Sequence, residues 1–133
     1  TITNAAREPE ITDLAQLLIS MGADISGLGT STLTIRGVTA LSGTTYRVIP
    51  DRIETGTFLC CVALAGGDIE LLDARPDTLR VVIDYLRQIG VEIDATENTL
   101  RVRRDLTKPL KPKTITTEPY PEFPTDMQTT HFA

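Results

Sequence analysis

Three short polar segments hold most of the side chains able to act on a charged small molecule. They are Asn4-Ala5-Ala6-Arg7-Glu8-Pro9-Glu10, Pro50-Asp51-Arg52-Ile53-Glu54-Thr55-Gly56-Thr57 and Phe123-Pro124-Thr125-Asp126-Met127-Gln128. Each stands where an extended stretch gives way to a helical pattern, and a helix N-terminus points free N–H groups at anions. Ordinary capping accounts for part of this: Asp51 with Glu54, and Thr125 with Gln128, have capping-box spacing. Two residues are left over. Arg52 puts a cation at the positive end of a helix, which is unfavourable for the helix dipole and points to an anionic partner. Asp126 is not needed for the Thr125/Gln128 cap, so its carboxylate is free for other work.

The remaining reactive residues offer less. His131 is the single histidine and reads as incidental. Cys60 and Cys61 are adjacent within an apolar run, where a thiol is a packing group with a raised pKa rather than a nucleophile. Adjacent cysteines close no useful loop, so no disulfide framework is expected and a reducing compartment is favoured. There is no glycine-rich phosphate loop and no metal-ligand spacing; neither a metal nor a cofactor is expected.

The elements that must position these residues repeat. Leu18, Gly22 and Ile25 recur as Leu86, Gly90 and Ile93, and the Ala6-Arg7 pair as Ala74-Arg75, at a period of about 68 residues. Thr32-Leu33-Thr34-Ile35-Arg36 meets Thr99-Leu100-Arg101-Val102-Arg103 after a loop one residue shorter. Pro9 and Pro76 suit a first helical turn. Ile11, Leu14, Leu17, Leu18 and Met21, and Leu79, Val82, Ile83, Leu86 and Ile89, follow with helical steps. The pattern predicts helices over 9–21 and 76–89, closed by Gly22 and Gly90. Strands follow around 24–26 and 33–36, then 92–95 and 99–103. Between the copies, 46–49 reads as a strand and 69–72 as another. The stretch 51–65 reads as a helix whose second half, Phe58 to Ala65, is apolar on every side and so buried all round. Residues 46–104 then form a β-α-β-α-β-β unit, in a mixed α/β (α+β) class. The Lys108–Lys113 stretch is a Pro/Lys connector, 114–117 a possible strand, and Thr125 opens a further helix.

Thirteen basic against 18 acidic side chains give a net charge of −5, which argues against nucleic acid as a partner, since phosphate backbones need a basic face. No apolar run approaches a bilayer span, and there is no signal-peptide pattern; a cytoplasmic location is expected. Neither Thr1 nor Ala133 looks like a domain boundary, so an excised part of a longer protein is expected.

The strings at 4–11, 50–58 and 123–128 closely resemble the UDP-N-acetylglucosamine 1-carboxyvinyltransferase family of enolpyruvyl transferases, in the same order and over essentially the whole chain. The sister 3-phosphoshikimate 1-carboxyvinyltransferases share the fold but not these strings. The resemblance implies an inside-out α/β barrel of two similar domains, each of three β-α-β-α-β-β units, with about two units covered here. Residues 1–48 would end one domain, with a crossover near Ile49-Pro50. Residues 49–104 would be a complete unit of the other domain, and 105–133 a connector and the start of a third unit. It also implies transfer of enolpyruvyl from phosphoenolpyruvate to the 3′-hydroxyl of UDP-N-acetylglucosamine, in a cleft between the domains. By that resemblance Asp126 is the catalytic carboxylate at the 3′-hydroxyl, and Thr125 and Arg52 bind substrate. Glu8, Glu10 and Asp51 line the cleft. The family's loop cysteine and its phosphoenolpyruvate-binding lysine and arginines have no counterpart here, and Cys60 and Cys61 do not replace that cysteine. The isolated chain is therefore expected to be inactive, and its partners to be the two small substrates, the rest of the enzyme and a second copy of itself. The competing expectations are a non-catalytic binding or scaffold module and the sister transferase.

Overall fold

The computed structural model describes residues 1–128; His131, and whatever part of the helix expected from Thr125 falls beyond Gln128, lie outside them. Two compact units divide between Ile49 and Pro50. No helix among the described residues is long and apolar enough to cross a membrane.

The first unit contains β1 (Ile2–Thr3), α1 (Pro9–Ser20), β2 (Asp24–Ser26) and β3 (Thr32–Arg36). The second contains α2 (Arg52–Ala65), β4 (Gly67–Leu72), a 3-10 turn at Pro76–Thr78, and α3 (Arg80–Ile89). It continues with β5 (Glu92–Ala95), β6 (Thr99–Arg104) and a 3-10 turn at Thr125–Met127. Both sheets are antiparallel and built alike: β1-β3-β2 and β4-β6-β5. In each, the strand before the helix pairs with the second strand of the hairpin after it. Leu33 faces Ile2 as Leu100 faces Leu71.

The repeat extends further than the sequence match. Among the described residues Asn4 and Asp73, just past β1 and β4, are the non-glycine residues with positive φ, at 55° and 56°. Asn and Asp tolerate that left-handed conformation better than other side chains. The next residues bond back to the hairpin turn in the same way, Ala5 N–H to Ser31 O and Ala74 N–H to Asn98 O, both at 2.9 Å. Ala5, not Ala6, is thus the counterpart of Ala74, and the Ala6-Arg7/Ala74-Arg75 match is one residue out of step. After each hairpin the chain returns to the helix it left: Ser42 N–H donates to Met21 O at 2.8 Å and Lys111 N–H to Ile89 O at 2.9 Å. The carbonyls at a helix C-terminus have no partner inside the helix, and the returning chain supplies one in both copies.

In the second unit α2 and α3 cover one sheet face. Leu59, Val82, Leu86, Leu100 and Val102 are almost fully buried there, with Ile93 beside them. The other face carries ion pairs: Arg101 grips Asp68 through two hydrogen bonds, at 2.9 and 2.7 Å, and Arg103 meets Asp94 at 2.8 Å. This is the inside/outside alternation of a half-buried antiparallel sheet.

Several expectations give way. Residues 76–89 are not one helix. The Thr78 hydroxyl donates to Arg75 O at 2.7 Å, the chain turns as a 3-10 segment, and α3 begins only after Leu79 has turned its side chain into the core. Residues 46–49 form no strand: a strand needs a hydrogen-bonded neighbour, and none stands beside them among the described residues. Instead Tyr46 docks on α1, its hydroxyl donating to Asp13 Oδ1 at 2.8 Å. That bond explains why Asp13 is buried on α1 while Leu14, expected on the apolar face, is half exposed. Nor is α2 buried all round: Leu59, Cys60, Val62 and Ala63 are, but Phe58 and Leu64 are 47% and 50% exposed, and Cys61 is exposed with them. The sheet and α3 cover one side of the helix, and nothing among the described residues covers the other. Residues 114–117 contribute one bridge, Thr117 to Phe123, rather than a strand.

Candidate functional site

Asp51 is the N-cap of α2. Its Oδ1 accepts from Ile53 N–H at 2.7 Å and Glu54 N–H at 3.2 Å. Its carbonyl takes the Thr55 hydroxyl at 2.9 Å. The Asp51 half of the capping expected from the sequence is present here, and it occupies one carboxylate oxygen. Asp51 also edges a groove of about 300 Å³ shared with Glu54, Phe58, Glu70 and Leu72, which is acidic and apolar and unsuited to an anion.

Arg52, one residue on, goes elsewhere. It is 8% exposed, and its guanidinium carbon lies 5.5 Å from the centre of the Tyr120 ring. Stacking on an aromatic face offsets part of the cost of burying a cation beside the positive end of a helix.

Gly56 lies one helical turn beyond Arg52, on the same side of α2. A Cβ there would run into Met127 Sδ, so the absent side chain is what lets Met127 seat against the helix, fully buried. Met127 belongs to the 3-10 turn that carries Thr125 and Asp126, both exposed. Gly56 thereby fixes that turn against the half of α2 that bears Arg52. The Thr125/Gln128 capping box is not formed. Pro124 holds the cap position, and Thr125 is the first residue of the turn, with no side-chain cap. A proline N-cap in extended geometry leaves the Thr125 hydroxyl and the Asp126 carboxylate directed by the turn rather than by a cap.

Glu8 and Glu10 belong to the first unit. Glu8 precedes α1 without a side-chain cap bond, and its Oε2 is shielded from solvent with no hydrogen-bond partner among the described residues. Glu10 is an exposed acid in the first turn of α1. Cys60 is buried and Cys61 exposed, and neither forms a disulfide among the described residues.

Sequence reasoning missed Tyr120 and Gly56, because what makes each matter is a contact made across the fold. It also missed a depression of about 680 Å³ between α3 and the β5–β6 turn, lined by Arg75, Asp77, Arg80, Asp84, Arg87 and Asn98. Its charges are largely satisfied within it. Arg75 holds Asp77 through bonds of 2.8 and 2.7 Å, which keeps that carboxyl below its ordinary pKa, and Arg87 meets Asp84 at 3.4 Å.

A family model described as EPSP synthase (3-phosphoshikimate 1-carboxyvinyltransferase) matches residues 1–133. A UDP-N-acetylglucosamine 1-carboxyvinyltransferase of Chelativorans sp. (strain BNC1) is 54% identical over 127 residues, 96% of this chain. One of Agrobacterium fabrum is 56% identical over the same share. The chain spans 29% of the length of either relative. Among solved structures, the enolpyruvyl transferase NikO from Streptomyces tendae superposes with a TM-score of 0.67 at 31% identity, over 83% of this chain and 27% of that one.

Proposed function

The chain belongs to the EPSP synthase (3-phosphoshikimate 1-carboxyvinyltransferase) family, and on that premise we propose that it is part of a UDP-N-acetylglucosamine 1-carboxyvinyltransferase. Such an enzyme moves enolpyruvyl from phosphoenolpyruvate to the 3′-hydroxyl of UDP-N-acetylglucosamine and releases phosphate, opening peptidoglycan synthesis in the cytoplasm. The reading rests on one observation above others: relatives bearing that name are more than half identical to nearly the whole chain.

The reaction adds the sugar hydroxyl oxygen to C2 of phosphoenolpyruvate, an enol phosphate, while the hydroxyl gives up its proton and C3 gains one; the tetrahedral adduct then loses phosphate from C2 and a proton from C3, which restores the double bond. It needs a base for the hydroxyl, an acid for the methylene carbon, and cations for the anionic groups. In this reading Asp126 accepts or orients the 3′-hydroxyl proton, Thr125 hydrogen-bonds the sugar beside it, and Arg52 meets a substrate anion. The packing of Met127 on Gly56 supports the grouping of these three, since it ties the turn to the helix. The same family resemblance puts Glu8, Glu10 and Asp51 among the residues that face substrate, with Asp51 chiefly a helix cap. The acid and most anion-binding cations belong to the rest of the enzyme.

Asp126→Asn in the complete enzyme tests the assignment. The amide still accepts a hydrogen bond but is a far weaker base, and general-base catalysis contributes about 10²–10⁴-fold. Turnover should fall at least about a hundredfold with the melting temperature and sugar-nucleotide affinity kept. Turnover near wild type would leave Asp126 an ordinary residue of the turn.

A further inference from the structure

We infer that Tyr120 is a positioning residue for Arg52: its ring face holds the guanidinium in the orientation in which Arg52 meets the substrate anion. The inference rests on the role proposed for Arg52. Arg52 starts a helix whose dipole repels its charge, and it is 8% exposed, so water compensates little of that charge. The Tyr120 ring, 5.5 Å from the guanidinium carbon, lies within the range of a cation–π contact, and such contacts strengthen as the cation is desolvated.

The loop that carries the ring is itself held. Thr117 and Phe123 bridge the base of the loop, Glu118 N–H donates to Phe123 O at 3.1 Å, and Glu122 N–H donates to Pro119 O at 3.1 Å. Phe123, 3% exposed, anchors the loop in the core and meets the Tyr85 ring edge-on, with centroids 5.8 Å apart. The same loop runs directly into the turn that carries Thr125 and Asp126. One closed loop therefore presents both the platform under Arg52 and the candidate base. The contact uses the ring face, so phenylalanine should serve nearly as well as tyrosine, and an aliphatic residue should not.

The experiment compares Arg52→Gln, Tyr120→Leu, Tyr120→Phe and the Arg52→Gln/Tyr120→Leu double variant in the complete enzyme. It reads kcat, KM for phosphoenolpyruvate, KM for UDP-N-acetylglucosamine, and melting temperature. Arg52→Gln should raise the KM of one of these anionic substrates. Tyr120→Leu should raise that same KM about tenfold and leave the other unchanged. Tyr120→Phe should stay within about twofold of wild type. The double variant should be no worse than Arg52→Gln alone, because both changes remove one arrangement. If Tyr120→Leu lowers the melting temperature, Tyr120→Met, closer to the lost volume, takes its place. A silent aliphatic variant beside an impaired Arg52→Gln would overturn the inference alone, as would additive losses in the double variant. A silent Arg52→Gln would overturn the role of Arg52 and the inference with it.

Discussion

Asp51 and Arg52 are neighbours in sequence with opposite roles, and the difference is physical. Asp51 caps α2 through Ile53 and Glu54 N–H, a contact that needs only local spacing and was legible in the sequence. Asp51→Ala should cost about 1 kcal/mol in thermal or denaturant melts, while Asp51→Asn, another good N-cap, should be nearly silent. An Asn variant as damaged as Ala would show that the charge serves more than the cap. For Arg52 the sequence showed only that a cation stood in an unfavourable place. Its partner Tyr120 comes from the far end of the unit and is visible only after folding. Gly56 was equally illegible, since a glycine within a helix normally reads as a small local cost. Gly56→Ala sets alanine's helix-propensity gain of about 1 kcal/mol against the shift that the new methyl forces on the enclosed end of Met127, and a small net loss of melting temperature is expected. A raised melting temperature would show that Met127 can move aside at no cost.

At the scale of elements, the repeat was readable because helix periodicity and glycine ends survive in both copies, and the two sheets share one strand order. What periodicity could not show was which faces find cover. The apolar run Phe58–Ala65 predicted complete burial, yet one side of α2 stays exposed. A strand reading at 46–49 likewise came from composition alone, which says nothing about whether a neighbouring strand is present. The Thr125/Gln128 spacing misled because Pro124 already held the cap position. The charged face of the β4-β6-β5 sheet carries a prediction of its own. The Arg101 hydrogen bonds hold the Asp68 carboxyl below its ordinary pKa. A carboxyl depressed in the folded state stabilises the protein above its unfolded pKa, and that stability is lost as pH falls through the folded value. The difference in melting temperature between wild type and Asp68→Asn should therefore be present at neutral pH and shrink on acidification below the ordinary carboxylate range. A difference independent of pH would mean that the pair contributes no linked stability.

At the scale of the whole molecule, the uncovered side of α2 fits the proposal that this chain is part of a larger enzyme. Cys61 shares the exposed side with Phe58 and Leu64, whereas Cys60 is buried. A thiol reagent should label Cys61 readily and Cys60 slowly in the 133-residue protein. In the complete enzyme Cys61 should be protected, and equal labelling in both would mean that this face is not an internal surface. The isolated chain should release no phosphate from phosphoenolpyruvate and UDP-N-acetylglucosamine. The most direct test replaces the matching segment of the Agrobacterium fabrum relative with this chain and assays the folded chimera with phosphoenolpyruvate and either UDP-N-acetylglucosamine or 3-phosphoshikimate. Enolpyruvyl transfer to the sugar nucleotide alone, abolished by Asp126→Asn, is the predicted result. A folded chimera that is inactive, or that prefers 3-phosphoshikimate, would contradict the account.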